Sequence, residues 1–142
     1  MTGVQTCALP ISFLLVCHDY VVLDPPAVRL LVEEGYRSNA GILGPKLVRA
    51  DNPEILLEVG RSIDRFGAPY TGIEPGEVDQ EQHDGVRDVF YVTTAVMLVR
   101  TDLFTELEGF DPATFPGAED LDLCWRARLA GARVLEIGRA HV

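Results

Sequence analysis

Apolar residues along this chain fall into short runs separated by glycine, proline and acidic clusters, which is the punctuation of alternating strands and helices. Residues 12–17 form an apolar run of the kind found in a buried central strand, ending at His18-Asp19-Tyr20. Beyond Asp24-Pro25-Pro26, where Asp24 can cap and proline suits a first turn, Val28, Leu31, Val32 and Gly35 mark one face of a helix. That helix reaches about residue 37 and is ended by Asn39-Ala40-Gly41. A Gly44-Pro45 turn is then expected between Ile42-Leu43 and Lys46-Leu47-Val48. Residues 55–63 read as a strand with a weak point at Gly60, and residues 66–85 as a long exposed loop, a length usually tied to function or mobility.

Two further strands, at 86–92 and 95–99, lead into a short helix at 102–107 and a helix opening at Glu119. In that last helix Leu121, Cys124, Trp125 and Leu129 recur at i, i+3, i+4 and i+8, which predicts a buried face that includes Trp125. Glu119 and Asp120 fall in its first turn, where carboxylates suit the positive end of the helix dipole, with Arg126 and Arg128 toward the other end. Asp122 is assigned to a polar face, and the two arginines to the surface or to ion pairs. A strand at 132–135 closes the pattern, and no internal repeat is present.

The order of these motifs is more specific than any one of them. Ala95, Met97-Leu98-Val99-Arg100, Gly109-Phe110-Asp111, Glu119-Asp120, Asp122-Leu123 and Arg126-Ala127-Arg128-Leu129-Ala130-Gly131 follow one another over about forty residues. Together they resemble the family 2 glycosyltransferases, whose donor domain has the GT-A fold. The resemblance implies an α/β domain, a partial GT-A, Rossmann-like mixed sheet flanked by helices. It also implies transfer of a sugar from a nucleotide-diphosphate donor to a glycan or lipid-linked acceptor, with inversion at the anomeric carbon. In that family the Asp of the Glu-Asp pair is the general base, which makes Asp120 the base and Glu119 its support. A positioned carboxylate suits the task, because the acceptor hydroxyl becomes acidic only as the new bond forms.

The same resemblance places a donor and metal side at His18, Asp19 and Tyr20, where the family carries an Asp-x-Asp-type motif, and a sugar pocket at Thr94 and Ala95. Mg2+ or Mn2+ is the implied cofactor, because hard cations take oxygen ligands and offset charge on a departing diphosphate. The chain departs from the pattern at three places. His18 and Tyr20 stand at the two acidic positions of the motif, leaving Asp19 as the local carboxylate and candidate metal ligand. Thr94 stands where a glycine would let the backbone approach the sugar, and Glu108 where the turn has its first glycine. These departures keep a second reading open, a degenerate GT-A domain that binds carbohydrate or a partner without turnover. A nucleotidyltransferase on a similar sheet is a third reading, and it calls for a glycine-rich phosphate loop upstream.

Both ends of the chain change how composition is read. Residues 5–11 and 136–142 can both be encoded by one DNA word, GATCGGAAGAGCACACGTC with short flanks, read on its two strands, and that word looks like a sequencing-library adapter. The expectation is therefore a glycosyltransferase fragment over 12–135, inactive by itself, with residues 1–11 and 136–142 set aside. The 142 residues bound one domain or less, and 47% hydrophobic with 24% charged residues is a globular balance. A net charge of -10 argues against a nucleic-acid partner, whose phosphates need clustered Lys and Arg. No run approaches the roughly twenty apolar residues of a membrane span. The expected location is the cytoplasm, or the cytoplasmic face of the membrane through other parts of the parent. Cys17 and Cys124 are expected to be buried thiols, no zinc site is suggested, and His83 is expected to be a solvated loop residue. The 66–85 loop is expected to border the acceptor side.

Overall fold

The computed structural model describes residues 12–114 and 116–141, and the side chains up to residue 138. Residues 1–11, one of the two stretches set aside, lie outside the described residues. The chain runs β1 (Phe13–Cys17), α1 (Ala27–Ser38), β2 (Ile42–Val48), β3 (Leu56–Glu58), β4 (Ser62–Ile63), β5 (Pro69–Tyr70), β6 (Val86–Asp88), β7 (Val96–Arg100), α2 (Thr101–Glu106), α3 (Glu119–Leu129) and β8 (Val134–His141). One sheet carries the order β1-β7-β2-β8-β6, with β3 added to β2, while β4 and β5 form a separate ribbon. The sheet is mixed: β2 pairs β8 in parallel, and β7 pairs both β1 and β2 antiparallel. This is an α/β, broadly Rossmann-like architecture.

Alternation along the strands sorts the core into two layers. Leu43, Val96, Leu98 and Leu135 face Ala27 and Leu31 of α1. Their neighbours Ile42, Met97, Val99 and Val134 face Leu103 of α2 and Leu123, Cys124 and Ala127 of α3. Covered on both faces, β7 therefore reads as a nearly unbroken apolar run, and β2 is buried along its whole length although Gly44-Pro45-Lys46 interrupts its apolar residues. Each fully buried Val, Leu or Ile contributes about 1.5–3 kcal/mol of transfer free energy. At Gly35 of α1 a Cβ would stand 2.9 Å from the tip of the Phe13 ring, so a larger residue there would push the ring aside.

Several elements depart from the sequence pattern. Gly44-Pro45 is no turn but part of β2, and a register shift between Pro45 and Lys46 accommodates the missing N–H. Glycine is needed at 44 because a Cβ would lie 2.7 Å from Val92. Gly44→Ala is expected to destabilise the chain by about 1–3 kcal/mol in urea titration, and an unchanged midpoint would show the contact to be slack. Gly60, at φ 87, divides the 55–63 strand into β3 and β4. At the start of α1 the N-cap residue Pro26 makes no side-chain cap, and the Asp24 carbonyl accepts from the Ala27 N–H at 2.9 Å. Asn39 ends the helix in the left-handed region, as read. The final strand, read to residue 135, runs on to His141.

The face of α3 is rotated from the expected one. Asp120, Leu123, Cys124 and Ala127 are buried, whereas Trp125 is 47% and Leu129 78% exposed. Small side chains at 124 and 127 let the helix settle close to the sheet, and Trp125 packs edge-on against Phe90 outside it. Arg126 pairs with Asp122 at 2.9 Å and donates to the carbonyls of Leu107 and Gly109. It thereby fastens the Gly109-Phe110-Asp111 turn to α3. Glu108, standing for a glycine, sits at φ 61 in that turn.

The 66–85 segment is tied down in two places. Lys46, buried on β2, holds Asp79 and Asp84 at 2.6 Å each. Burial alone would lower its pKa, and the two carboxylates raise it above the ordinary value. His83 is half-buried rather than solvated, with Nε2 3.0 Å from Glu77. Among the described residues no helix is long and apolar enough to cross a membrane.

Candidate functional site

The antiparallel register of β1 and β7 sets Cys17 opposite Val96, so the residue after β1 meets the residue before β7. His18 accordingly donates its N–H to the Ala95 carbonyl at 3.1 Å. Its Nε2 lies 3.5 Å from Thr94 Oγ1, at the outer limit of a hydrogen bond, and its Nδ1 is 2.6 Å from Tyr20 Oη. On the other side of Thr94, the backbone N–H donates to Asp120 Oδ2 at 3.4 Å. Tyr20, His18, Thr94 and Asp120 thus form one line across the end of the sheet. Asp19 and Glu119 stand outside it: Asp19 is exposed, and Glu119, the first residue of α3, is half-buried.

Asp120 is 6% exposed at the N-terminus of α3, where the dipole favours its charge. Its Oδ1 accepts from the Leu121 N–H at 2.8 Å. An ionised carboxylate offers about four lone-pair sites, so these two N–H groups leave capacity for a further donor. Thr94, where a glycine was expected, bonds His18 through its side chain and Asp120 through its backbone.

Three residues that the sequence pattern did not single out surround this line. The buried Glu58 and half-buried Arg61 approach to 2.7 Å, Oε1 to Nε, an ion pair off the hydrogen-bonding direction. Arg61 also lies over the buried Tyr91 ring, 5.8 Å from its centroid, and exchanges backbone bonds with Tyr91. Burial pushes the Glu58 carboxyl above its ordinary value, against the pull of Arg61. Two opposite charges three residues apart around Gly60, inside an otherwise apolar stretch, were the available signal. In front lies a cleft of ≈ 700 Å³, bordered by His18, Tyr20, Arg49, Leu57, Arg61 and Ala95. The 66–85 segment does not line it.

The donor set is a poor match for the implied Mg2+ or Mn2+. Asp19 is the one carboxylate among His18, Asp19 and Tyr20, and both ring nitrogens of His18 face hydroxyl groups. Among the described residues no group of three or more His, Cys, Asp or Glu side chains is arranged to hold a metal ion. The described residues here do not complete a hard-cation site.

The two cysteines among the described residues differ. Cys17 is exposed at the end of β1, contrary to expectation, while Cys124 is buried beside Asp120. Burial pushes the Cys124 thiol up to about 12. Iodoacetamide at pH 8 should therefore alkylate Cys17 and spare Cys124 in the folded chain, read by peptide mass mapping. Comparable labelling of the two would contradict this packing. In comparison with known proteins, no family model and no curated sequence matches the chain.

Proposed function

We propose that residues 12–135 are the middle and later part of a GT-A glycosyltransferase domain, and that the parent protein transfers a sugar from a nucleotide-diphosphate donor with inversion. The acceptor is a glycan or a lipid-linked saccharide. The observation that carries the reading is the buried Asp120 at the end of the sheet, in line with Thr94 and His18 and with spare acceptor capacity. Crevices at strand ends are where open α/β sheets bind ligands.

In the proposed step Asp120 accepts the proton of the acceptor hydroxyl as its oxygen forms a bond to the anomeric carbon. The bond from that carbon to the diphosphate breaks on the opposite face, and its electron pair leaves with the diphosphate. Thr94 and Leu121 hold the carboxylate through their N–H groups, which fixes the direction in which it receives the proton. Glu119 supports the acceptor side from the start of α3.

A second reading, a non-catalytic domain that binds carbohydrate or a partner, is favoured by one observation: Tyr20 Oη occupies His18 Nδ1 where the resemblance calls for carboxylates. Product formation separates the two. The full-length parent incubated with a panel of nucleotide-diphosphate sugars is expected to yield glycosylated acceptor and free nucleoside diphosphate. Saturable sugar binding with no product from any donor would favour the second reading.

A further inference from the structure

The Glu58–Arg61 pair has no part in the transfer step, and it is a poor element of stability. Glu58 is 5% exposed, and its 2.7 Å approach to Arg61 completes no hydrogen bond at Glu58 Oε1 or at Arg61 Nε. Charges taken out of water need good geometry and satisfied lone pairs to offset their desolvation, and this pair has neither. Costly buried charges of this kind gather where a protein does chemistry.

The place of the pair in the fold connects it to Asp120. Glu58 and Arg61 share one cleft wall with Thr93, and the next residue, Thr94, donates its N–H to Asp120. Arg61 also exchanges backbone bonds of 2.8 and 3.0 Å with Tyr91, three residues before Thr94. Glu58 and Asp120 are both buried, and the charge of Asp120 adds to the burial that pushes the Glu58 carboxyl up. The other groups around Asp120 do not change charge near neutral pH. Burial raises the Tyr91 phenol and pushes the Cys124 thiol up to about 12, while Arg61 stays cationic. His18 reaches Asp120 only through Thr94. Glu119 and Asp122 of the same helix are half-buried, and Asp122 pairs with Arg126. Glu58 is the buried carboxylate that acts on Asp120 from another element.

A carboxylate takes up a proton more readily beside a second negative charge. We propose that Glu58, held in its ionised form by Arg61, is a positioning residue that strengthens Asp120 as a base. When Asp120 accepts the proton of the acceptor hydroxyl, the repulsion between the two carboxylates is relieved, so their proximity favours that transfer. Arg61 contributes twice. Its guanidinium keeps Glu58 charged in a buried place, and its backbone fastens the segment that presents Thr94 to Asp120. The inference rests on the transfer reading, which gives Asp120 a proton to take.

Carboxyl carbon NMR titration of the 142-residue chain reads the coupling without any reaction. Because the coupling is reciprocal, Glu58 is expected to ionise about one pH unit lower in Asp120→Asn than in the wild type. In the full-length parent, Glu58→Gln should move the acid limb of the kcat profile lower by about one unit. It should also lower the plateau about threefold, with the acceptor KM nearly unchanged. A merely structural role would lower the plateau and leave the limb in place. An unmoved Glu58 titration in Asp120→Asn overturns the inference, and that measurement remains decisive should Glu58→Gln fail to fold. An unmoved acid limb in a folded Glu58→Gln overturns it as well. If Asp120→Asn abolishes turnover while either of these stays unmoved, the inference alone fails. If the coupling is present but Asp120→Asn turns over like the wild type, the transfer reading fails and the role of Glu58 goes with it.

Discussion

Asp120→Asn is expected to lower turnover by the full-length parent about 10²–10⁴-fold, the scale of a lost general base, with little change in stability. Asparagine has the same shape, and its amide oxygen can still accept the N–H of Thr94 or Leu121. What it lacks is proton affinity. The fold should tolerate the change because two opposing terms are small. Removing a charge from the first turn of α3 forfeits about 0.3–1 kcal/mol of dipole interaction, while relief from burying that charge works the other way. The kinetic signature of the role is a fall in kcat with the acceptor KM nearly unchanged. A KM effect with full kcat would instead make Asp120 a binding residue.

Glu136→Leu is expected to stabilise the chain and to flatten its pH dependence. Glu136 is 0% exposed on β8, and neither carboxylate oxygen has a hydrogen-bond partner. Its nearest cation is the Arg87 guanidinium of β6 at 3.6 Å, too long for a hydrogen bond. Burial pushes its pKa from 4.5 to about 7, while Arg87 and Lys46 pull it down and Asp84 pushes it up. Because the folded state holds this proton more tightly than the unfolded chain, its stabilising contribution is full below about pH 4.5. That contribution is lost as pH rises through about 7. Between pH 5 and pH 8 the wild type should lose about 2–3 kcal/mol from this group, and Glu136→Leu should not. Urea titrations at the two pH values give the difference directly. Parallel losses in both chains would mean that Glu136 is not the buried, raised group described here.

Local chemistry was the legible part of this sequence. The apolar run of β7, the Asn39 helix end and the Gly60 interruption each follow from the residues themselves. Choices among equal local signals were not legible. Helix α3 carries two overlapping apolar stripes, Leu121-Cys124-Trp125-Leu129 and Leu123-Cys124-Ala127, and pattern alone favours the bulkier one. Close approach to the sheet selects the smaller, and that rotation also turns Asp120 inward. Gly44-Pro45 has the composition of a turn, but both strand faces are covered there and a register shift absorbs the proline.

At the site, the meeting of His18, Thr94 and Asp120 depends on strand register and on the placement of α3 across the sheet. Sequence order suggested the partners without fixing the contacts. Glu58 and Arg61 escaped because they reach the cleft only when Gly60 redirects the chain between β3 and β4. The exposed Tyr20 stands where the resemblance calls for a carboxylate, and its hydroxyl lies 2.6 Å from His18 Nδ1, a contact that sequence order does not show.

The central claim is inverting transfer with Asp120 as base, and the anomeric proton of the product tests it most directly. The full-length parent should convert its nucleotide sugar to a glycoside whose anomeric configuration, followed by proton NMR, is opposite to that of the donor, while Asp120→Asn gives little product. A product that retains the donor configuration, or one formed at undiminished rate by Asp120→Asn, would contradict the account.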